Sequence, residues 1–595
     1  MEGKAMRKGG AFLVEETPAH EVFAPEDFRE EHKMLIKTTD DFVKNEVAPH
    51  LKELENKDFQ MTRRLMRQAG ALGLLGADMP EDYGGGGLGT IASMLVGEHL
   101  AAGGGALGVV VNCHTGIGSM PLVFFGNKAQ KAKYLPGLAS GEKIGAYALT
   151  EPGAGTDALS MQATAVLTPD GKHYRLNGTK QFITNGGFAD VISTYAKVGG
   201  DKITAFVLER SFPGVSTGPE EKKMGLHGSS TVSVILEDAQ VPVENVMFEI
   251  GKGHTVLLNV LNLGRFKLGA ACIGVAKLAI ADSVKYSKER IQFGKPICQF
   301  GLIKHKIAEM AIRAYMGESM VYRTGGLIES VLETVDRTAD DVGRQSAKAI
   351  GEWAIECSIN KIFCSEMLDY VADEAVQIYG GYGFIQEYPV EQIYRDNRVF
   401  RIFEGTNEIN RLLIVQFLMR KALKNDIPLL AAIEKLKSEM PGMKPAHAGK
   451  GSGSLAYEQA LIERAKKACL LVAGAAVGKY GEAVAEEEEI LARISDIAAE
   501  AFAMESGLLR AAKAIETSGE EASRLKIDMV RVYVNEAMPR VHEYVVGALA
   551  AVYSGKELTE QLAALSNMTH VSPINTIALR RGIADRVIAA EKYIC

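Results

Sequence analysis

The sequence predicts an α+β, mostly helical protein of several domains. Three observations carry this: two blocks of helical periodicity flank a compact β-rich stretch, a Pro-, Gly- and Ser-rich segment follows, and the remainder is helical again. At 595 residues the chain is longer than one core supports, so it is expected to divide.

Taken in order, residues 1–28 read as an N-terminal arm. Residues 29–145 form an α-helical domain, because 28–51 and 61–75 place apolar residues at helical spacing. Residues 146–252 read as a β domain. Its β-rich runs at 144–149, 173–176, 191–198 and 204–208 are separated by Gly, Asn and Asp turns. Long helical periodicities return over 253–430, at 256–287 and 303–333, broken by the glycine-rich turn Gly380-Gly381-Tyr382-Gly383. Residues 431–455 are assigned as a linker on the composition of MPGMKPAHAGKGSGS, 440–454. Residues 456–595 form an additional helical domain.

Composition excludes several classes. A formal net charge of −7 over this length leaves no continuous basic face, so nucleic acid is not expected as a partner. The seven cysteines are scattered without a C-x-x-C pair, which predicts neither a metal site nor a disulfide framework and fits a reducing, cytoplasmic setting. The first 14 residues lack the apolar core of an export signal. Lys277 and Asp282 interrupt the best apolar stretch short of the roughly 20 residues of a membrane span, so any membrane contact is expected to be peripheral, at the inner face. No G-x-G-x-x-G lies between a strand and a helix, and no P-loop is present.

The segment YALTEPGAGTD, 147–157, follows an expected strand and offers hydroxyls and free backbone N–H groups in a glycine-permissive loop. Such a loop can hold a planar polar ligand or a phosphate; an ordinary Pro-Gly turn is the alternative. Together with NGTKQFITNGG at 177–187 it resembles the paired flavin-binding signatures of the acyl-CoA dehydrogenase family. YSKERIQFGKP at 286–296, and QIYGGYGF at 377–384 through RIFEGT at 401–406, are similar to that family's later signatures.

The resemblance implies the acyl-CoA dehydrogenase fold: an N-terminal helical domain, a middle β-barrel-like domain and a C-terminal four-helix domain. FAD would lie between subunits of a homo-oligomer. Tyr147, Leu149 and Thr150 would contact the flavin ring, Gly155 and Thr156 the pyrophosphate region, and Thr184 would place its hydroxyl near N5. Arg290, Gln292, Phe293, Gln377 and Gly381 would come from the neighbouring subunit to hold the ADP half, with Thr406 and Glu408 also at the cofactor. A buried pyrophosphate needs a fixed cation, and the Arg290 guanidinium forks onto its oxygens; a surface salt bridge is the other reading. Many relatives carry Trp where Phe182 stands, and Phe stacks but lacks the indole donor. Trp353, the sole tryptophan, reads as core.

By the same resemblance Glu404 is the base that removes the α-proton of an acyl thioester while the flavin takes the β-hydride. The reaction needs a base of raised pKa, and burial beside an acyl chain disfavours a charged carboxylate. The Glu404 backbone N–H and a ribityl hydroxyl would stabilise the thioester carbonyl. Asn262, Arg265, Phe403, Gly405 and Thr156 would hold the substrate. Some family branches carry the base just before the arginine corresponding to Arg265; here that position is Gly264, which leaves Glu404 without a rival and would leave room for a longer acyl chain. His227 reads as a turn side chain rather than a catalytic acid.

About 140 residues follow the linker, an extension resembling the very-long-chain branch of the family, which forms homodimers that associate with a membrane. Residues 457–477, with Arg464, Lys466 and Lys467, would suit an interfacial helix, whereas Glu486 to Glu489 would repel anionic lipid. Long-chain acyl-CoA is the expected substrate, on Gly264, the extension and the small residues Gly103 to Gly105 and Gly108, which a loop would also explain. The resemblance places the chain in fatty acid β-oxidation, with electron-transfer flavoprotein as acceptor. An acyl-CoA oxidase using dioxygen, or a scaffold protein of the same fold, are the alternatives.

Overall fold

A computed structural model describes residues 7–337, 339–446 and 453–595. The first helical block contains α1 (Glu30–Phe42), α2 (Leu51–Glu55), α3 (Phe59–Ala71), α4 (Gly89–Gly104), α5 (Ala106–Cys113), α6 (Met120–Phe125) and α7 (Lys128–Ala139). Local chemistry sets several starts. Asp58 caps α3 by accepting from the N–H groups of Gln60 and Met61, and Asn127 with Gln130 forms a capping box on α7. Residues 7–28, expected as an arm, are packed down: Phe12 is buried with its ring 4.9 Å from that of Phe502.

The β domain comprises β1 (Gly145–Ala148), β2 (Thr164–Leu167), β3 (His173–Thr184), β4 (Val191–Val198), β5 (Lys202–Glu209), β6 (Val215–Thr217), β7 (Thr231–Pro242) and β8 (Val246–Met247). They form one mixed sheet in the order β6-β7-β3-β2-β4-β5-β8, with β1 parallel to β4. The β3–β7 pairing slips between Lys180 and Ile183. This bulge frees Gln181, whose N–H donates to the Thr150 carbonyl at 2.8 Å, and turns Phe182 outward.

The second helical block holds α8 (Gly253–Glu289), the hairpin of β9 (Ile291–Gln292) and β10 (Lys295–Pro296), then α9 (Gly301–Leu332), α10 (Val342–Gly351), α11 (Ala354–Tyr379), α12 (Pro389–Asn397) and α13 (Asn407–Leu423). The expected linker, 431–455, does not begin as a flexible segment: α14 (Leu429–Glu439) runs into it and packs on the next helix. Residues 447–452 of that linker lie outside the described residues.

The last domain contains α15 (Ala456–Tyr480), α16 (Glu488–Ser518), α17 (Arg524–Val552), α18 (Gly555–Thr569) and α19 (Thr576–Ala590). It joins the body through a buried seam. Gly507 of α16 lets the helix approach α9 so closely that a β-carbon there would meet Met316 Sδ at 2.4 Å. Arg510 pairs with Glu318 at 2.6 Å, and Arg323 with Glu505 at 2.8 Å. Breaking such desolvated pairs from one side is costly, so the domain is locked to the body.

Among the described residues three helical stretches, Ala106–Phe125, Gly253–Glu289 and Ala456–Glu486, are long and apolar enough to cross a membrane, which departs from the expectation of no such run. Their apolar windows are 83%, 78% and 44% buried within the protein, so the first two are core helices. The basic residues expected to face lipid on the third are otherwise engaged. Lys466 is buried against Glu505 at 2.6 Å, Lys467 pairs with Glu439 at 2.7 Å, and Arg464 donates to the carbonyls of Asn567 and Lys444.

Candidate functional site

The chain reaches α13 through a turn in which Glu404 (φ 60) and Gly405 (φ 81) are both left-handed. Glycine adopts this freely, but a glutamate does so only where its surroundings over-determine it. Here they do. The Glu404 carbonyl accepts from Arg265 Nε at 3.2 Å and Asn410 Nδ2 at 3.4 Å, and the same amide reaches the carbonyls of Gly405 (2.9 Å) and Thr406 (3.0 Å). From α11, Lys361 Nζ donates to the Gly405 carbonyl at 2.7 Å and to Asn407 Oδ1 at 2.6 Å. Thr406 caps α13 by accepting from the Ile409 N–H at 3.3 Å.

The turn aims the Glu404 side chain into a cavity. The residue keeps some exposure, but its Oε2 is shut from solvent and has no hydrogen-bond partner. Burial pushes the carboxyl up to about 7, against the opposing pull of the Arg265 and Lys361 charges. Among the described residues the Glu404 N–H donates to no protein acceptor. It is therefore free for a ligand carbonyl.

The cavity follows one stripe of α8: Gly264, Leu268, Ala271, Val275 and Leu278 line it at helical spacing. From Gly264 to Leu278 the helix rises about 21 Å. Gly264 does not open space for a chain, as the sequence reading expected. A β-carbon there would stand 2.6 Å from Glu404 Oε2, so the glycine accommodates the carboxylate itself. Gly103 and Gly104 end α4, Gly105 (φ 42) breaks it from α5, and all three line the cavity with Gly108. Gly103, Gly104 and Gly108 belong to packed helices rather than a loop. A β-carbon on Gly103 would meet Val43 Cγ1 at 1.7 Å, and one on Gly108 would meet Ala101 Cα at 2.7 Å.

Thr184 and Cys113 line the same cavity, with the Cys113 thiol directed at the Thr184 carbonyl at 3.9 Å. Burial pushes that thiol up to about 12, so it stays neutral. Tyr147 and Leu149 lie buried at the end of β1, and the Tyr147 ring meets Tyr195 edge-on at 5.5 Å. Thr150 and the exposed Gly155 and Thr156 follow in the loop. Phe182, at the bulge, is left-handed (φ 59) and 59% exposed. Beneath it, the fully buried Lys180 pairs with Glu151 at 2.7 Å and donates to the Leu149 carbonyl at 3.3 Å, while Glu151 accepts from the N–H groups of Gln162 and Ala163.

Asn262 and Arg265 are buried on α8, with Arg265 Nη1 donating to Asn262 Oδ1 at 3.1 Å. Phe403 lines the cavity, its ring 5.2 Å from Phe400. Glu408 is exposed in the first turn of α13.

A second group lies apart. Arg290, Gln292 and Gly381 line a separate surface concavity with Tyr286 and Tyr382, and Gln377 is exposed one turn before it on α11. Phe293, at the tip of the β9–β10 hairpin, is left-handed (φ 50) and 93% exposed. The Arg290 guanidinium stands 5.4 Å over the Tyr382 ring and, among the described residues, forms no ion pair.

These two surfaces fit a flavin dinucleotide. One offers an outward aromatic, hydroxyls and a loop in which a β-carbon on Gly153 or Gly155 would touch nothing within 4 Å. The other offers an uncommitted guanidinium beside Gly381, which is equally open. One chain does not bring them into a single pocket.

Sequence reasoning missed Lys361, Asn407, Asn410, Lys180 and Glu151. A lysine inside the apolar run SINKIFC of α11 was the available signal for the first. His227 lies in a turn, its Nε2 donating to the Lys223 carbonyl at 3.0 Å and its Nδ1 2.8 Å from Glu55 Oε1, and Trp353 is buried, both as read from the sequence.

Residues 29–142, 146–239 and 251–419 match the families described as acyl-CoA dehydrogenase N-terminal, middle and C-terminal domains, and 464–567 match a further acyl-CoA dehydrogenase C-terminal domain family. The chain is 50% identical over 590 residues to a probable acyl-CoA dehydrogenase of Bacillus subtilis (strain 168), covering 99% of this chain and 98% of that protein. It is 38% identical over 500 residues to the mitochondrial very long-chain specific acyl-CoA dehydrogenase of Macaca fascicularis, covering 79% of this chain and 73% of that protein. The crystal structure of an acyl-CoA dehydrogenase complexed with FAD from Bacillus anthracis superposes with a TM-score of 0.97 at 49% identity, covering 99% of this chain and 100% of that one.

Proposed function

The chain belongs to the acyl-CoA dehydrogenase family, and on that premise we propose that it oxidises long-chain acyl-CoA to the trans-2-enoyl thioester, with Glu404 as the base. It is an FAD-dependent enzyme. The observation that carries the proposal is the enclosed, unpartnered Glu404 Oε2 in an apolar cavity that Thr184 also lines.

Bound FAD would supply the acceptor for the β-hydride. The remaining work falls to the chain. The Glu404 carboxylate takes the α-proton, and its raised affinity for protons brings it nearer to the weak carbon acid it must deprotonate. The free Glu404 N–H donates to the thioester carbonyl and stabilises the enolate that develops there. Arg265 holds the turn through Nε and Nη1, which donate to the Glu404 carbonyl and to Asn262 Oδ1. Tyr147, Leu149, Thr150, Thr156, Phe182 and Thr184 would hold the flavin half of the cofactor, and Arg290, Gln292, Phe293, Gln377 and Gly381 the ADP half.

The length of the cavity supports a long chain. An extended chain advances roughly 1.2 Å per bond, so the 21 Å stripe corresponds to about 17 bonds. Turnover with thioesters of eight to sixteen carbons tests this: rates should rise with length, and a steady fall would rule the preference out. Electron-transfer flavoprotein is the proposed acceptor, within fatty acid β-oxidation. One equivalent of hydrogen peroxide per turnover without added acceptor would instead indicate an oxidase.

A homodimer is proposed because the two cofactor surfaces of one chain are separate and Phe293 is bare. Sedimentation should give the mass of two chains, reduced to one in Phe293→Asp; a monomeric native protein that still binds flavin would refute it.

A further inference from the structure

We propose that Lys361 is a positioning residue: its buried ammonium holds the left-handed Glu404-Gly405-Thr406 turn and, by its charge, sets the pH at which the base is available. This rests on the reading of Glu404 as the base. Lys361 is completely buried in the middle of α11. Its Nζ is hydrogen-bonded to two acceptors, the Gly405 carbonyl at 2.7 Å and Asn407 Oδ1 at 2.6 Å, and both belong to the stretch that carries Glu404. Neither acceptor bears a charge. A buried ammonium bonded to no carboxylate is expensive to keep, and its charge therefore acts on whatever ionisable groups lie nearby.

The groups facing this pair come from every element around it. Arg265 and Cys272 approach from α8, and Glu366 from one turn along α11. Tyr147 of β1 and Cys113 of α5 face Glu404. The cysteines and the tyrosine are neutral because burial raises all three. Glu366 is engaged by Arg411 at 2.9 Å and by Asn407 Nδ2 at 2.9 Å. Arg265 and Lys361 are thus the cations that act on the Glu404 carboxylate, and burial lowers Lys361 to about 8, within reach of neutral pH.

Geometry and charge can be separated. Lys361→Gln keeps a donor for the turn but removes the charge, Lys361→Arg keeps the charge, and Lys361→Met removes both. The readouts are infrared pH titration of the protonated carboxyl band that disappears in Glu404→Gln, and the pH profile of turnover. Removing a cation stabilises the protonated form of Glu404. In Lys361→Gln the midpoint and the acid limb should therefore both move up by about one pH unit. In Lys361→Arg they should stay at the native position, and Lys361→Met should show the same shift together with a loss of the plateau rate. Should one variant fail to accumulate folded, judged by its melting curve and flavin content, the comparison between the others carries the test. A native midpoint in Lys361→Gln or Lys361→Met, with Glu404→Gln inactive, would overturn this proposal alone. Full turnover in Glu404→Gln would overturn the assignment of the base, and the proposal with it.

Discussion

Glu404 Oε2 stands 2.6 Å from the point where a β-carbon on residue 264 would lie. Position 264 is therefore glycine so that the carboxylate can occupy the head of the cavity. Gly264→Ala should push the base aside and lower turnover about 100-fold, with the melting temperature and flavin content near native. Turnover within a few-fold of native would show that the carboxylate does not need this space.

The raised pKa of Glu404 also bears on stability. In the unfolded chain this group ionises near 4.5, and in the folded protein near 7. Folding is thus favoured below the lower value, and that advantage fades as pH rises through the higher one. Glu404→Gln should therefore melt higher than the native protein at pH 8, by roughly 2–4 °C, with the gap closing by pH 5. A gap independent of pH would contradict the burial of the charge.

The Lys180–Glu151 pair ties the loop 150–157 to β3 from below. Lys180→Met strands a buried carboxylate and should cost about 3–5 kcal/mol of stability, with faster flavin loss on dilution. Both are read from melting curves and from flavin fluorescence released with time. An unchanged release rate would mean that the loop is held by other contacts.

Arg290 lines a concavity that shares no lining residue with the acyl cavity. Arg290→Ala should reduce the flavin-to-protein absorbance ratio while leaving the fold, followed by circular dichroism, as it was. A full complement of flavin would assign the pyrophosphate to another cation.

Much of this was legible before any coordinates. The strands at 191–198 and the long helices around 256–287 and 303–333 emerged close to their observed bounds, because each has an unbroken pattern over many residues. The signatures around Thr184, Arg290 and Glu404 all fell at exposed or cavity-lining turns. What stayed hidden was non-local. Nothing near Lys361 in the sequence points to the Gly405 carbonyl 44 residues away. Lys180 shares the inward parity of the buried Tyr174 and Leu176 on β3, a place its charge argues against, and only the fold shows that Glu151 pairs with it there. Gly264 was read as empty space for the substrate, since only the fold shows which side chain fills a missing one. The helix over 429–439 was hidden by the Pro- and Gly-rich run that follows it, and its packing on α15 stabilises it.

The most direct test is anaerobic addition of palmitoyl-CoA to the native protein and to Glu404→Gln, following the long-wavelength absorption of the bound flavin. Rapid bleaching in the native protein and none in the variant is the predicted result. Equal bleaching in both would mean that another residue takes the α-proton.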